Sequence, residues 1–373
     1  MLTWLLIFSN FLFVGSYALL GPHALFIRSW DHVGTEYIIT GMAIFAATQI
    51  GGVWLASFLS PRIEKSISGL FIIRLAAIVL FLIPSSLCVT LSLLLYGISH
   101  SIFYKISRTS ARELINLKYP FSDRSYLLFG LTTNLAYMIF VGIGAKLLEL
   151  KNLQVLSSIS MIIFIASIVM IYSLNQRISP SRTSPTKNSN NPTCNENAET
   201  SEVHSKKTVF LDLVRLSGFA VPYAVMQALI PIKVLQTGLS SEYNAFLTAI
   251  NSGVVLSFQI LGIFIKQINR FNSKTYDFTV LISVLFLFIS YISDLTIFTL
   301  ILFIWSFIEA YQIPSIEHLI FSQRTYTDKT INRFLIFDSA ICFLGPYLAI
   351  LNTNLIYIHS SPWLTSLLNK IKF

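Results

Sequence analysis

Charge is what this sequence lacks most. Only 12% of its 373 residues are Asp, Glu, Lys or Arg, where a soluble domain carries about 25%. With a mean hydropathy of +0.69, that scarcity excludes a soluble globular chain, because one or two cores cannot hide so much apolar surface. Cysteine is nearly absent too. Cys88, Cys194 and Cys342 have neither metal-ligand spacing nor obvious partners, so they read as inert thiols, and no metal site is expected. The N-terminal run MLTWLLIFSNFLFVGSYALL has no basic residues ahead of it and is too long for a signal peptide, so it reads as an uncleaved first helix. No Gly-rich phosphate loop or nucleotide motif appears, so neither a cofactor nor an ATPase of its own is expected. An enzyme needs nucleophiles, metal-binding acids or paired carboxylates clustered at one face. Here His23, Asp31, His32, Glu36, Glu149 and Glu242 are thinly spread, so no catalytic residues are assigned. A membrane-embedded enzyme or a scaffold is the less favoured alternative.

What the chain does have is a series of apolar runs about twenty residues long, the length needed to cross a hydrocarbon core of about 30 Å. Spanning helices are expected at 2–21, 37–59, 68–84, 86–106, 125–147 and 153–174, then at 208–235, 243–266, 277–293, 295–321 and 331–352. A twelfth at 354–371 is weak: helix 11 carries Gly345–Pro346 near its middle and can run on to about Ile356, leaving too little chain to cross alone. Between the two series lies NQRISPSRTSPTKNSNNPTCNENAETSEVHSKK, residues 175–207. Its Ser, Thr, Asn, Pro and charge bury nothing, so it reads as a solvated, disordered linker. The expected fold is an all-α membrane protein of two six-helix bundles, residues 1–174 and 208–373.

The net charge of +9 suggests nucleic acid until the charges are placed. With the N-terminus in the cytoplasm, the cytoplasmic loops hold Arg62 and Lys65; Lys105, Arg108, Arg112, Lys118 and Arg124; the linker's bases; Lys266, Arg270 and Lys274; Arg324, Lys329 and Arg333; and Lys370 and Lys372. Only Arg28, Lys146, Lys151 and Lys233 fall outside, with Arg74 and Arg215 inside helices. This is the positive-inside distribution of a multi-pass protein of the cell membrane, with N-terminus and linker cytoplasmic. The basic pI is a matter of topology, and no nucleic-acid partner is expected.

The halves read as repeats. An offset of 209 residues lays TLSLLLYGISHSIFYK (90–105) on TLILFIWSFIEAYQIP (299–314), and nearly the same offset lays PRIEK (61–65) on NRFNS (269–273). On these features, together with the helix count and the central loop, the chain resembles the major facilitator superfamily over essentially its whole length. In that family the loop after helix 2 carries a Gly-x-x-x-Asp-Arg-x-Gly-Arg-Arg motif, repeated after helix 8. Here ASFLSPRIEKS (56–66) has Pro61 at the Asp position and Glu64 at the second Gly but keeps Arg62 and Lys65, while GIFIKQINRFNSK (262–274) keeps Arg270 and Lys274. The resemblance implies that these four bases form a cytoplasmic gate motif and that helices 1, 4, 7 and 10 wall a central cavity. It also implies a secondary transporter of a small organic molecule. Export coupled to inward proton movement is favoured, with sugar or metabolite efflux and nutrient uptake as the alternatives. A monomer is expected.

Polar residues within the apolar runs are costly and usually face the bundle interior. His100 in helix 4 has Tyr96 one turn before it; in helix 10, Trp305, Glu309 and Gln312 fall on one face at i, i+4 and i+7. The offset maps Tyr96, His100 and Phe103 onto Trp305, Glu309 and Gln312. His100 and Glu309, with Tyr96, Trp305 and Gln312 beside them, are therefore expected to line the substrate path, one or both of His100 and Glu309 binding a proton, with Tyr17, Tyr223 and Gln227 as substrate contacts. The alternative is an interhelical hydrogen bond. Arg74 is expected to snorkel to the cytoplasmic surface or pair with the loop, Asp212 and Arg215 to form a local ion pair, and Asp338 to lie at the membrane interface.

Overall fold

The computed structural model describes residues 1–20, 35–59, 63–83, 85–121, 125–150, 152–182, 206–237, 241–264, 273–292, 294–321 and 328–360. They form eleven helices and, among the described residues, no strand. The first half holds α1 (Leu2–Leu20), α2 (Thr35–Leu59), α3 (Ile63–Leu82), α4 (Ser86–Asn116), α5 (Ser125–Glu149) and α6 (Leu153–Arg182). The second holds α7 (Lys206–Gln236), α8 (Ser241–Phe264), α9 (Ser273–Ile292), α10 (Leu295–Phe321) and α11 (Asp328–Ser360). Eight of them (α1, α4, α5, α6, α7, α8, α10 and α11) are long and apolar enough to cross a membrane. The chain is a multi-pass membrane protein.

Each of the first eleven expected spans becomes a helix, but several run past the apolar residues that announced them. Hydropathy marks where a run leaves the lipid, whereas the helix continues as long as its backbone bonds hold. The largest overshoot is α4, expected to stop at residue 106. Residues 107–116, SRTSARELIN, contain no Pro or Gly and include good helix formers. The helix ends only where Lys118 turns left-handed at φ 54. There the Lys118 N–H donates to the Ile115 carbonyl at 3.0 Å and the Tyr119 N–H to the Leu114 carbonyl at 3.0 Å, a Schellman closure. Arg108 and Arg112, expected in a loop, are helical. Likewise α6 takes in residues 175–182 of the expected linker, and α11 takes in 354–360 of the expected twelfth helix. The remainder of both, 183–205 and 361–373, lies outside the described residues.

Packing follows a repeated plan. Helix α1 lies against α5 as α7 lies against α11, and α4 packs on α2 and α3 as α10 packs on α8 and α9. Between α1 and α6 the hydroxyls of Ser9 and Ser167 donate to each other's carbonyls at 3.0 and 2.8 Å, and Ser160 donates to the Ser16 carbonyl at 2.9 Å. Small polar residues of this kind let helices approach closely in lipid. The halves meet along two seams, α2 with α11 and α5 with α8. In the second seam Gly130 sits against the Gln259 amide, where an added Cβ would lie 2.6 Å from Nε2, and Ala145 packs with Ala245 at the other end. The outward faces of α3, α6 and α9 carry exposed Ile72, Ile162, Phe278 and Leu281, as lipid contact requires.

Candidate functional site

Between the halves lies a cavity of about 390 Å³, within the range of about 300–1,000 Å³ for small-molecule sites. Among the described residues its wall is built by α1, α2, α4 and α5 from one half and α7, α8, α10 and α11 from the other, with no contribution from α3, α6 or α9. A quarter of the lining residues are Phe or Tyr, with Phe13, Tyr17, Phe45 and Tyr137 from the first half and Phe219, Tyr223 and Phe334 from the second. Phe13 stacks on Phe103 with ring centroids 3.7 Å apart, and the Tyr17 ring lies 5.2 Å from the imidazole of His100.

Five ionisable side chains other than tyrosines and Cys342 are set into this wall: His100 and Arg108 on α4, Glu309 and Glu317 on α10, and Asp338 on α11. Arg108 Nη2 donates to Glu317 Oε1 at 2.5 Å, and these side chains are only 6% and 7% exposed. The same oxygen accepts from the Tyr104 hydroxyl at 2.9 Å. Arg108 Nη1 reaches Asn10 Oδ1 at 3.3 Å, and Asn10 in turn donates to Thr132 and Thr133 at 3.1 and 3.2 Å. The guanidinium is flanked by the rings of Tyr104 and Phe129, 4.0 and 4.3 Å from their centroids. One buried ion pair thus ties α4 to α10 and, through Asn10, to α1 and α5. It sits toward the end of the bundle where α1 starts, an end marked by the bond from Thr3 Oγ1 to the Pro120 carbonyl at 2.8 Å.

Glu309 is 2% exposed, and its Oε2 has no hydrogen-bond partner. Asn251 of α8 is hydrogen-bonded to the carboxylate and also accepts from the Ser306 hydroxyl at 2.5 Å. His100 Nδ1 is likewise buried without a partner.

Of the residues expected on the substrate path, His100, Glu309, Tyr17, Tyr223 and Gln227 line the cavity, whereas Tyr96, Trp305 and Gln312 do not. The cavity stripe of α10 is Glu309, Ile313, Ile316 and Glu317. Trp305 and Gln312 lie about 40° and 60° to one side of Glu309 at 100° per residue, which turns them into the bundle. Gln312 accepts from Ser283 at 3.2 Å and donates to Thr279 at 3.3 Å, both on α9. Trp305 is fully buried and stacks behind Tyr223 with centroids 6.2 Å apart. Tyr96 lies under Arg74, whose Cζ is 3.8 Å from the ring centroid.

Arg74 itself corrects the snorkelling expectation. Helix α3 starts earlier than expected, so Arg74 lies about three turns inside it. It is 0% exposed and donates to Ser16 and Ser99 at 3.0 and 3.3 Å. Asp338 faces the cavity. The Asp212–Arg215 pair forms at 3.4 Å and is joined by Asp277 of α9 at 3.1 Å. Of the expected gate bases, Lys65 and Lys274 fall in the first turns of α3 and α9, and Arg62 and Arg270 lie outside the described residues. Glu317 went unread in the sequence because it stands near the end of its run. A signal existed: 108 plus the repeat offset of 209 is 317.

No protein-family model matches this sequence, and no curated protein matches it. Solved structures do match. The human organic anion transporter MFSD10 (TETRAN) superposes with a TM-score of 0.65 at 13% identity, covering 93% of this chain and 92% of that one. A POT family transporter in complex with 5-aminolevulinic acid gives a TM-score of 0.69 at 11% identity, with 95% and 91% covered. A POT family transporter bound to a thioalcohol-conjugated peptide gives 0.61 at 12% identity, with 95% and 91% covered. The fold is that of the major facilitator transporters. Arg108 and Glu317, which stand apart by the offset read from the sequence, meet between the two halves.

Proposed function

We propose that this chain is a secondary transporter that exports a small organic molecule in exchange for protons, with Glu309 as the proton carrier. The observation that carries this reading is a buried carboxylate with an unpartnered oxygen, on the wall of a cavity bounded by both halves. A group so placed changes charge at a cost the surroundings set, which is what coupling a proton to a conformational change requires. The neighbours of the same fold are described as transporters of organic anions and peptides, which favours a small organic substrate here. Alternating access moves one half against the other. In that motion the Arg108–Glu317 pair is the contact that must part on one side, and the positive-inside pattern makes that side cytoplasmic. Lys65 and Lys274, with Arg62 and Arg270, are proposed to support closure there. A single chain completes the cavity, so a monomer suffices.

The test is transport by protein reconstituted in vesicles under an imposed pH gradient. Glu309→Gln keeps the shape and hydrogen bonding of the side chain, so it should abolish pH-driven flux while substrate still binds. Adding His100→Ala should cost little more, because residues that act as a unit are non-additive. Normal flux by Glu309→Gln under the gradient would return Glu309 to a structural role. Substrate accumulation on the acidic side indicates exchange against protons; accumulation on the other side indicates uptake with them and would overturn export.

A further inference from the structure

The charges around the cavity do not balance. Among the described residues three carboxylates line it, Glu309, Glu317 and Asp338, against one arginine, Arg108. That arginine is already engaged, with Glu317 at 2.5 Å and with Asn10 at 3.3 Å, and lies between two aromatic rings. Arg74 is walled off within the first bundle by Tyr96, Ser16 and Ser99. Glu309 and Asp338 have no cation of their own: neither forms an ion pair among the described residues. An anionic ligand would have to take Arg108 from Glu317 and leave that carboxylate without a cation, near Asp338. A cationic ligand meets two carboxylates and the negative faces of aromatic rings.

We propose that the cavity selects lipophilic organic monocations, holding an aromatic or branched apolar body against its Phe and Tyr walls and the cationic centre between Glu309 and Asp338. This deepens the transport reading and rests on it for taking the cavity as the substrate site. The groups that share the wall with Glu309 fit such a ligand. Helix α7 brings the Tyr223 phenol, α5 brings Tyr137, α11 brings Asp338 and Cys342, and α8 brings the Asn251 amide. Across the space stand His100 and Arg108 of α4, and α9 reaches no part of the wall. Ligand cation and proton compete for the same carboxylates. That competition makes proton release the direct consequence of substrate binding, with no relay needed between separate sites.

Two probes of the same shape and opposite charge decide the matter: tetraphenylphosphonium and tetraphenylborate. Equilibrium dialysis of the purified full chain in detergent, with protein-free micelles as the blank, measures binding without any transport step. The phosphonium should bind above the blank and the borate should not. The phosphonium has no proton to lose, so any pH effect belongs to the protein: raising the pH from about 6 to about 8 should tighten binding about tenfold or more as carboxylates lose protons. Glu309→Gln and Asp338→Asn should each weaken it about tenfold and flatten the pH dependence. Preference for the borate, binding of neither probe, or phosphonium binding that is indifferent to pH would each overturn the inference, the last without relying on any variant being well folded. None of these outcomes depends on flux, so pH-driven transport of another solute would leave the transport reading standing while this one fell.

Discussion

The two halves of the cavity share a backbone plan and carry opposite chemistry. On α4 the first half presents His100 and Arg108; at the equivalent positions on α10 the second presents Glu309 and Glu317. The contrast continues behind the wall. Arg74 of α3 fills the first bundle beside Tyr96, while α9 of the second carries no cation there and bonds through Ser283 to Gln312. The lesson is that two similarly packed helices, α4 and α10, bring opposite charges to one cavity. The halves are complementary where a simple repeat would place like against like.

The sharpest way to break that comparison is at the pair between the halves. Arg108→Ala or Glu317→Ala strands one buried charge and should cost about 3–5 kcal/mol, read as a fall in unfolding midpoint in detergent. Because the positions are equivalent, the exchanged variant carrying Arg108→Glu with Glu317→Arg should recover most of the loss suffered by Arg108→Glu or Glu317→Arg alone. An exchange as unstable as the singles would mean that surrounding groups such as Asn10 and Tyr104, not the pair itself, define the site.

The buried cations of the first half offer the next test. Arg108 has a carboxylate, but Arg74 has none among the described residues, and its hydrogen-bond partners Ser16 and Ser99 also bond to the carbonyls of Phe13 and Tyr96. Arg74→Met should therefore be neutral or stabilising, by up to about 3 kcal/mol, because it removes a desolvated charge and leaves those hydroxyls satisfied. A loss of similar size in the same unfolding assay would show that the contact with the Tyr96 ring outweighs the desolvation.

The smallest expected effect concerns how far α4 reaches. Lys118 holds a left-handed conformation at φ 54 that glycine adopts freely, so Lys118→Gly should gain about 0.5–1 kcal/mol. A loss would mean that the Lys118 side chain contributes more than its backbone costs.

The same α4 explains what the sequence could and could not tell. Helix number, the two bundles and the repeat are written in hydropathy, which lipid enforces on every residue it touches. Glu309 and His100 stood out because they interrupt long apolar runs. Arg108 did not, because Lys105, Arg108 and Arg112 together resemble a cytoplasmic loop, and nothing local says that one of the three turns inward. Its partner is supplied by α10, far along the chain, and so is invisible to any window. Trp305 and Gln312 misled for the opposite reason. They share a face with each other, but a face of about 60° off the cavity stripe belongs to the bundle core.

The ion pair also says something about how the halves recognise each other. If two copies of the first half came together around the same axis, Arg108 would confront Arg108; two copies of the second would set Glu317 against Glu317. Each such assembly would bury like charges with no neutralising partner. Only the unlike combination satisfies both charges, so this one contact favours each half beside its sister over each half beside a copy of itself.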